Sequence, residues 1–265
     1  MPDAATADAR RESLKQVFAQ ARACERCPQL VATRTQVVFG AGSADADLLF
    51  VGEAPGKNED EQGVPFVGAA GKLLTELLGE VGISREDVFI ANVLKCRPPD
   101  NRNPLPEEIE RCSPWLWRQI ELIEPTVVVT LGNFATKLLR GDTAGITQLH
   151  GRVEERLLGT RTVRLMPSYH PAAALYQRSN RELIAADFAQ LPALLAQGPP
   201  EQLPSGRGSA GAGADEQPGE ARAEPTSEDL ADARAELAAE SIPEPEPERP
   251  EPVPVDPGAE QLDLF

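Results

Sequence analysis

The chain has 265 residues, 41% of them hydrophobic, enough for one or two domains with a real core. A formal net charge of −16 argues against a nucleic-acid-coating protein until the charge is located: residues 199–265 hold 17 acidic residues and 4 arginines, while residues 1–198 hold 25 acidic and 22 basic residues and sit near −3. No run approaches the ~20 apolar residues of a membrane span, and the N-terminal stretch lacks the apolar centre of a secretory signal, so a cytoplasmic protein with no membrane partner is expected.

Leu14, Val17, Phe18 and Ala21 recur at helical spacing within residues 10–23. Residues 47–51 (DLLFV) form a short apolar run that ends at glycine, as a buried strand does. A helix is predicted over 69–81, with Leu73, Leu74, Leu77 and Leu78 on one face. Residues 88–94 (VFIANVL) predict a second strand, and 106–123 a helix with proline in its first turn. Residues 126–131 (TVVVTL) predict a third strand and 133–139 a helix. A hairpin is expected from 153–157 and 162–166 around Gly159-Thr160, and a single last helix over 181–195.

Strands alternating with helices predict an α/β fold built on a parallel sheet covered on both faces. Ligands of such sheets sit at the carboxyl ends of the strands. Gly52-Glu53-Ala54-Pro55-Gly56, Asn92 and Ser168-Tyr169-His170-Pro171 all fall at or near such ends. After Gln197 the composition changes: 12 prolines, many Gly, Ala and Glu, and no Cys, Trp or Tyr. Such a segment buries too little apolar surface to offset its ordering entropy, and a disordered C-terminal tail is expected.

The four cysteines, Cys24, Cys27, Cys96 and Cys112, comprise one C-x2-C pair and two later residues flanking RPPDNRNP. Four thiolates with none to spare suit one four-sulfur site holding an iron–sulfur cluster or zinc, between which spacing does not choose. Two disulfides, disfavoured in the cytosol, and four unrelated buried cysteines are the alternatives.

The segments GEAPGKNEDEQGVPFVGAAGKLL (52–74), NVLKCRPPDNRNPLP (92–106) and SYHPAA (168–173) resemble the family 4 uracil-DNA glycosylases, in order, from about Cys24 to Leu195. The resemblance implies a three-layer α/β/α sandwich around a short, mainly parallel sheet, and a monofunctional enzyme that hydrolyses the N-glycosidic bond of deoxyuridine. It also implies that the four cysteines ligate a [4Fe–4S] cluster. The expected domains are a glycosylase domain over 1–198, a disordered acidic linker over 199–260 and a terminal peptide over 261–265. Uracil-containing DNA, single- or double-stranded, is the implied substrate of a nucleoid-associated monomer.

The chemistry accounts for the residue types. A base inside a duplex must be flipped into a pocket that reads its edge. Asn92 can accept from uracil N3–H and donate to O4 with one amide, a pattern cytosine reverses. Phe66 resembles the residue that stacks on the flipped base. His170 is expected to hydrogen-bond the negative charge developing on O2. Gly52, Glu53, Ala54 and Gly56 are expected to cradle the base. Other families place a water-activating Asp where this chain has Ala54 and a thymine-excluding Tyr where it has Gly56. Glu53 is therefore the candidate for orienting water or stabilising the cationic sugar, with Glu59 and Asp60 in reserve. Lys57, Lys72, Arg97, Arg102, Arg178 and Arg181 are candidates for phosphate contact, and Leu175 or Tyr176 for a wedge into the vacated stack. His150 has no assigned role. A related branch traps its substrate through a KRRIH-type insertion; this chain runs Lys95-Cys96-Arg97-Pro98-Pro99 instead, so turnover is expected.

Gln261-Leu262-Asp263-Leu264-Phe265 resembles the bacterial sliding-clamp-binding pentapeptide, which implies recruitment to the replication clamp. A non-catalytic nucleic-acid scaffold and a cluster-based redox sensor are the rival readings of the same chain.

Overall fold

A computed structural model of the protein describes residues 4–202. The linker past Gln202 and the pentapeptide 261–265 lie outside the described residues. In chain order the elements are α1 (Ala4–Arg22), α2 (Pro28–Val31), β1 (Ala41–Gly42), β2 (Leu48–Gly52), α3 (Lys57–Gln62), α4 (Ala69–Glu80), β3 (Phe89–Asn92) and α5 (Pro106–Ile123). There follow β4 (Val127–Leu131), α6 (Asn133–Arg140), α7 (Ile146–Leu149), β5 (Glu154–Leu158), β6 (Arg161–Ser168), α8 (Pro171–Tyr176), α9 (Arg178–Phe188) and α10 (Leu191–Ala196).

The strands form one mixed sheet in the order β1-β3-β2-β4-β6-β5. Its centre is parallel, β3 to β2 to β4 to β6, and both edge strands run antiparallel to their neighbours. Parallel pairing demands crossovers, and the helices that supply them cover both faces. Residue alternation along β2 divides the core: Leu49 and Val51 face one cluster with Leu14, Phe18, Leu116, Ile120 and Leu139 of α1, α5 and α6. Leu48 and Phe50 face the other, with Leu74, Leu77, Ile184, Phe188 and Leu191 of α4, α9 and α10. The three-layer α/β/α expectation is met. None of the described helices is long and apolar enough to cross a membrane.

One expectation is corrected. The single helix over 181–195 is two, α9 and α10, interrupted at Ala189–Gln190. Pro192 is the reason: inside a continuous helix its ring would collide with the carbonyl of residue 188, whereas in the first turn of α10 its missing N–H costs nothing. Residues after α10 bond back to β6. The Gln202 side-chain amide donates to Thr162 O and accepts from Thr162 N–H, both at 3.0 Å, taking the place of a strand neighbour. Arg164 Nη1 donates to Gly198 O.

Candidate active site at the carboxyl edge of the sheet

The parallel strands bring their carboxyl ends to one edge, where Gly52 is registered beside Asn92 and Leu131 beside Ser168. The pairing continues beyond the strands: Val93 N–H donates to Gly52 O and Leu94 N–H to Glu53 O, and Gly132 N–H donates to Ser168 O. The GEAPG segment, Asn92 and the SYHP segment are thereby fixed along the same edge.

Phe66 joins them. Its ring stacks on His170 with centroids 5.3 Å apart and an interplanar angle of 30°. Its edge also abuts Gly52: a Cβ added there would lie 2.9 Å from Phe66 Cζ and 2.3 Å from Asn92 Oδ1. Phe66 therefore reaches from His170 on one side to Gly52 and Asn92 on the other. Glycine at 52 is what permits that approach. Asn92 is 2% exposed, and its main chain is held from below by Lys95, whose Nζ donates to Asn92 O at 2.7 Å and to Gln119 Oε1 at 2.6 Å. Gln119 Nε2 in turn donates to Phe39 O. Burial pulls the Lys95 ammonium down to about 7, although Cys112 and Cys96 act in the opposite sense. The sequence reading missed this pair, for which adjacency to Cys96 was the only hint.

His170 precedes the first turn of α8, and its Nδ1 accepts the Ala172 N–H at 3.1 Å. An accepting Nδ1 leaves the ring proton on Nε2. The ring packs against Phe66 and the chain at Gly132, and that desolvation pushes its pKa down to about 4, so the imidazole is neutral near pH 7.

Glu53 is half-buried beside the edge, its backbone fixed by Leu94. Glu59 and Asp60, the reserve candidates, are engaged elsewhere: Glu59 accepts from Gly56, Val67 and Gly68 N–H, and buried Asp60 accepts Thr35 N–H on both oxygens. That occupancy leaves neither oriented as a free base. Ala54 is partly buried and packed against the core.

Of the cationic candidates, Arg102 forms a two-pronged ion pair with buried Glu108 at 2.6 and 2.9 Å, Arg97 donates to Asn101 Oδ1 at 2.7 Å, and Arg181 pairs with Glu80. Lys57, Lys72 and Arg178 are exposed. Leu175 and Tyr176, at the end of α8, are 50% and 47% exposed, among the few large apolar side chains so presented.

His150, left without a role, belongs to a polar cluster behind the SYHP segment. Its Nδ1 lies 3.1 Å from Asp187 Oδ1, its ring 4.8 Å from that of Tyr169, and Ser168 Oγ donates to Asp187 Oδ2 at 2.8 Å. Burial raises Asp187, against the lowering effect of those hydrogen bonds. The cluster ties the end of β6 to α9.

The four cysteines line one cavity together with Arg34, Lys95, Arg111 and Trp115. All four are free thiols, which removes the disulfide alternative. Three of the sulfurs receive N–H donors: Cys96 from Arg34 at 3.1 Å, Cys24 from Arg26 at 3.4 Å and Cys112 from the Lys95 amide at 3.2 Å. Such donors suit anionic sulfur. Burial raises Cys27 and Cys96 and pushes Cys112 up to about 12; burial also raises Cys24, but hydrogen bonds from Arg26 and Trp115 outweigh it. Among the described residues no three His, Cys, Asp or Glu are grouped to hold a single metal ion.

Comparison with known proteins gives the family of the chain. Residues 39–191 match the Uracil DNA glycosylase superfamily. The type-4 uracil-DNA glycosylase of Archaeoglobus fulgidus is 46% identical over 184 residues, 68% of this chain and 92% of that protein. That of Thermotoga maritima is 46% identical over 182 residues, 68% of this chain and 93% of its own length. A type-5 uracil-DNA glycosylase of Pyrobaculum aerophilum is 33% identical, covering 56% of this chain and 78% of that protein. With its mixed sheet, the edge that gathers Gly52, Asn92 and His170, and these relatives, the chain belongs to the uracil-DNA glycosylase superfamily.

Proposed function

We propose that this protein is a uracil-DNA glycosylase of the type-4 kind, which hydrolyses the N-glycosidic bond of deoxyuridine in DNA and so starts base excision repair. The observation that carries the reading is Phe66, which meets His170 on one face and Gly52 with Asn92 at its edge. In this reading the extruded uracil lies against Phe66 with Asn92 on its N3–O4 edge. As the bond breaks, the leaving uracil gathers negative charge at O2, to which His170 donates its Nε2–H. Water adds at the sugar carbon, with Glu53 orienting it or offsetting the sugar's positive charge, and the proton it sheds ends on the uracil anion, giving free uracil and an abasic sugar. Lys57 and Arg178 contact phosphates, and Leu175 fills the space the base vacates.

Cys24, Cys27, Cys96 and Cys112 would hold a [4Fe–4S] cluster. Support comes from the shared cavity and the N–H donors on three sulfurs. When bound, such a cluster cross-links the segment after α1, the segment after β3 and α5.

The test is incubation with single- and double-stranded oligonucleotides carrying one uracil, followed by alkali. Strand cleavage at uracil and none at thymine or cytosine is expected; an uncut uracil strand would refute the reading. Asn92→Ala should slow uracil excision by about 10–100-fold, the equivalent of one or two hydrogen bonds lost from a buried polar edge.

The terminal Gln261–Phe265 peptide is assigned to the sliding clamp on its sequence: apolar side chains at its second, fourth and fifth positions and Gln261 as a polar anchor. Removing residues 261–265 should abolish binding to the clamp in a pull-down and leave oligonucleotide excision intact. Undiminished clamp affinity would exclude the peptide as the docking element.

A further inference from the structure

Phe66 has φ +55°, a left-handed backbone that is sterically costly for an aromatic residue. Asp100 and Asn101 share that region, but their short polar side chains tolerate it and a phenyl ring does not. Something must hold Phe66 there. Two charged side chains from different elements grip the polar backbone atoms of its turn.

Arg85, in a 3-10 turn after α4, supplies one grip. Its Nη2 donates to Pro65 O at 2.8 Å and Phe66 O at 2.9 Å, and its Nη1 to Thr75 Oγ1 at 3.1 Å and Gly71 O at 3.4 Å. Glu59, in α3, supplies the other: Oε1 accepts Val67 N–H at 2.9 Å and Gly68 N–H at 3.1 Å. Its second oxygen accepts Gly56 N–H at 3.1 Å, so the GEAPG loop and the Phe66 turn share one carboxylate. Gly71 closes the brace, because a Cβ there would sit 1.8 Å from Phe66 O. The carbonyls before and at Phe66 meet a guanidinium, and the two N–H groups after it meet a carboxylate.

The geometry points to Arg85 and Glu59 as positioning residues that lock the Phe66 turn in its left-handed form, so that the ring is presented to the extruded pyrimidine at a fixed distance from Asn92 and His170. This rests on the glycosylase reading above. Arg85 acts through Phe66; Glu59 acts through Phe66 and, by way of Gly56, through the GEAPG loop. Releasing the turn would let φ relax to negative values and swing the ring away from Gly52 and His170. The loss would fall on stacking and on the registration of the base.

A double-mutant cycle separates this role from general support of the fold. Single-turnover excision from a uracil-containing single-stranded oligonucleotide is measured for the full-length wild type, Arg85→Gln, Phe66→Ala and the double variant, each well below its melting temperature. Arg85→Gln is expected to slow excision about tenfold in the wild-type background and less than about twofold once Phe66 is alanine. A similar loss in both backgrounds, or unchanged excision by Arg85→Gln alone, overturns the assignment. If Arg85→Gln does not fold, Arg85→Lys enters the same cycle, with the same coupling expected and the same additivity fatal. Wild-type protein that leaves uracil in place would instead sink the glycosylase reading; active wild type with additive variants sinks the brace alone.

Discussion

Replacing His170 with alanine is expected to slow uracil excision by about 10²–10³-fold with the fold retained, the usual cost of one donor aimed at developing charge. In the proposed role the donor is the Nε2–H of a neutral ring, because Nδ1 already accepts the Ala172 N–H. His170→Gln, which keeps a side-chain N–H, should recover part of the loss. The pH profile distinguishes neutral from charged ring. Burial lowers the folded-state pKa to about 4, against about 6.5 for an unfolded histidine. The rate should therefore show no inflection from this group between about pH 5 and 8. Stability behaves differently: on acidification the unfolded chain takes up the proton first. The contribution present above about 6.5 is thus lost as pH falls towards 4, and thermal melts should decline over that window in wild type and less in His170→Ala. A rate inflection near 6.5 that vanishes in His170→Ala would mean that imidazolium is the donor.

Five of the six described strands were legible because their chemistry is local; the two-residue edge strand β1, Ala41–Gly42, has no apolar run to mark it. TVVVTL has no competing periodicity, and β4 occupies Val127–Leu131, within a residue of the expected run. Asn92 and His170 were legible as candidates because each follows such a run, and strand ends in a parallel sheet share an edge. The tautomer of His170 was not, although Pro171 marks a helix start and makes the preceding residue a cap. Arg85 and Glu59 were invisible for a different reason. Their partners are main-chain atoms 8–20 residues away, and a charged side chain that binds backbone leaves no pattern in its neighbours. Glu59 was read as a reserve base because it looks like any acidic residue beside a glycine loop. Only coordinates reveal that its oxygens are taken. Pro192 carried a legible signal that the apolar spacing of 181–195 masked.

Cys112→Ala is expected to remove the visible thiolate-to-iron absorbance and to lower the melting temperature by about 10 °C, corresponding to about 3 kcal/mol in a domain of this size. The four cysteines come from three segments: Cys24 and Cys27 between α1 and α2, Cys96 after β3, and Cys112 within α5. Apolar packing of Leu14, Phe18 and Ala21 in the cluster that contains Leu116 and Ile120 already joins α1 to α5, so the fold should survive loss of one ligand in weakened form. The weakening has an electrostatic source as well as a covalent one. Arg34, Lys95 and Arg111 line the same cavity and Arg26 donates to Cys24. Without an anionic centre these cations face one another across the remaining thiols, of which Cys27 and Cys96, raised by burial, stay protonated. The effect should also reach the base-reading edge. The Lys95 amide donates to Cys112 Sγ while its ammonium holds Asn92 O, so the segment from Asn92 to Cys96 is anchored at both ends. Excision by Cys112→Ala, measured below its melting temperature, should fall by less than that of Asn92→Ala, since Asn92 keeps its side chain and loses only part of its support. Unchanged visible absorbance would strike Cys112 from the ligand set. Lost absorbance with an unchanged melting temperature would show that the cluster does not cross-link these segments.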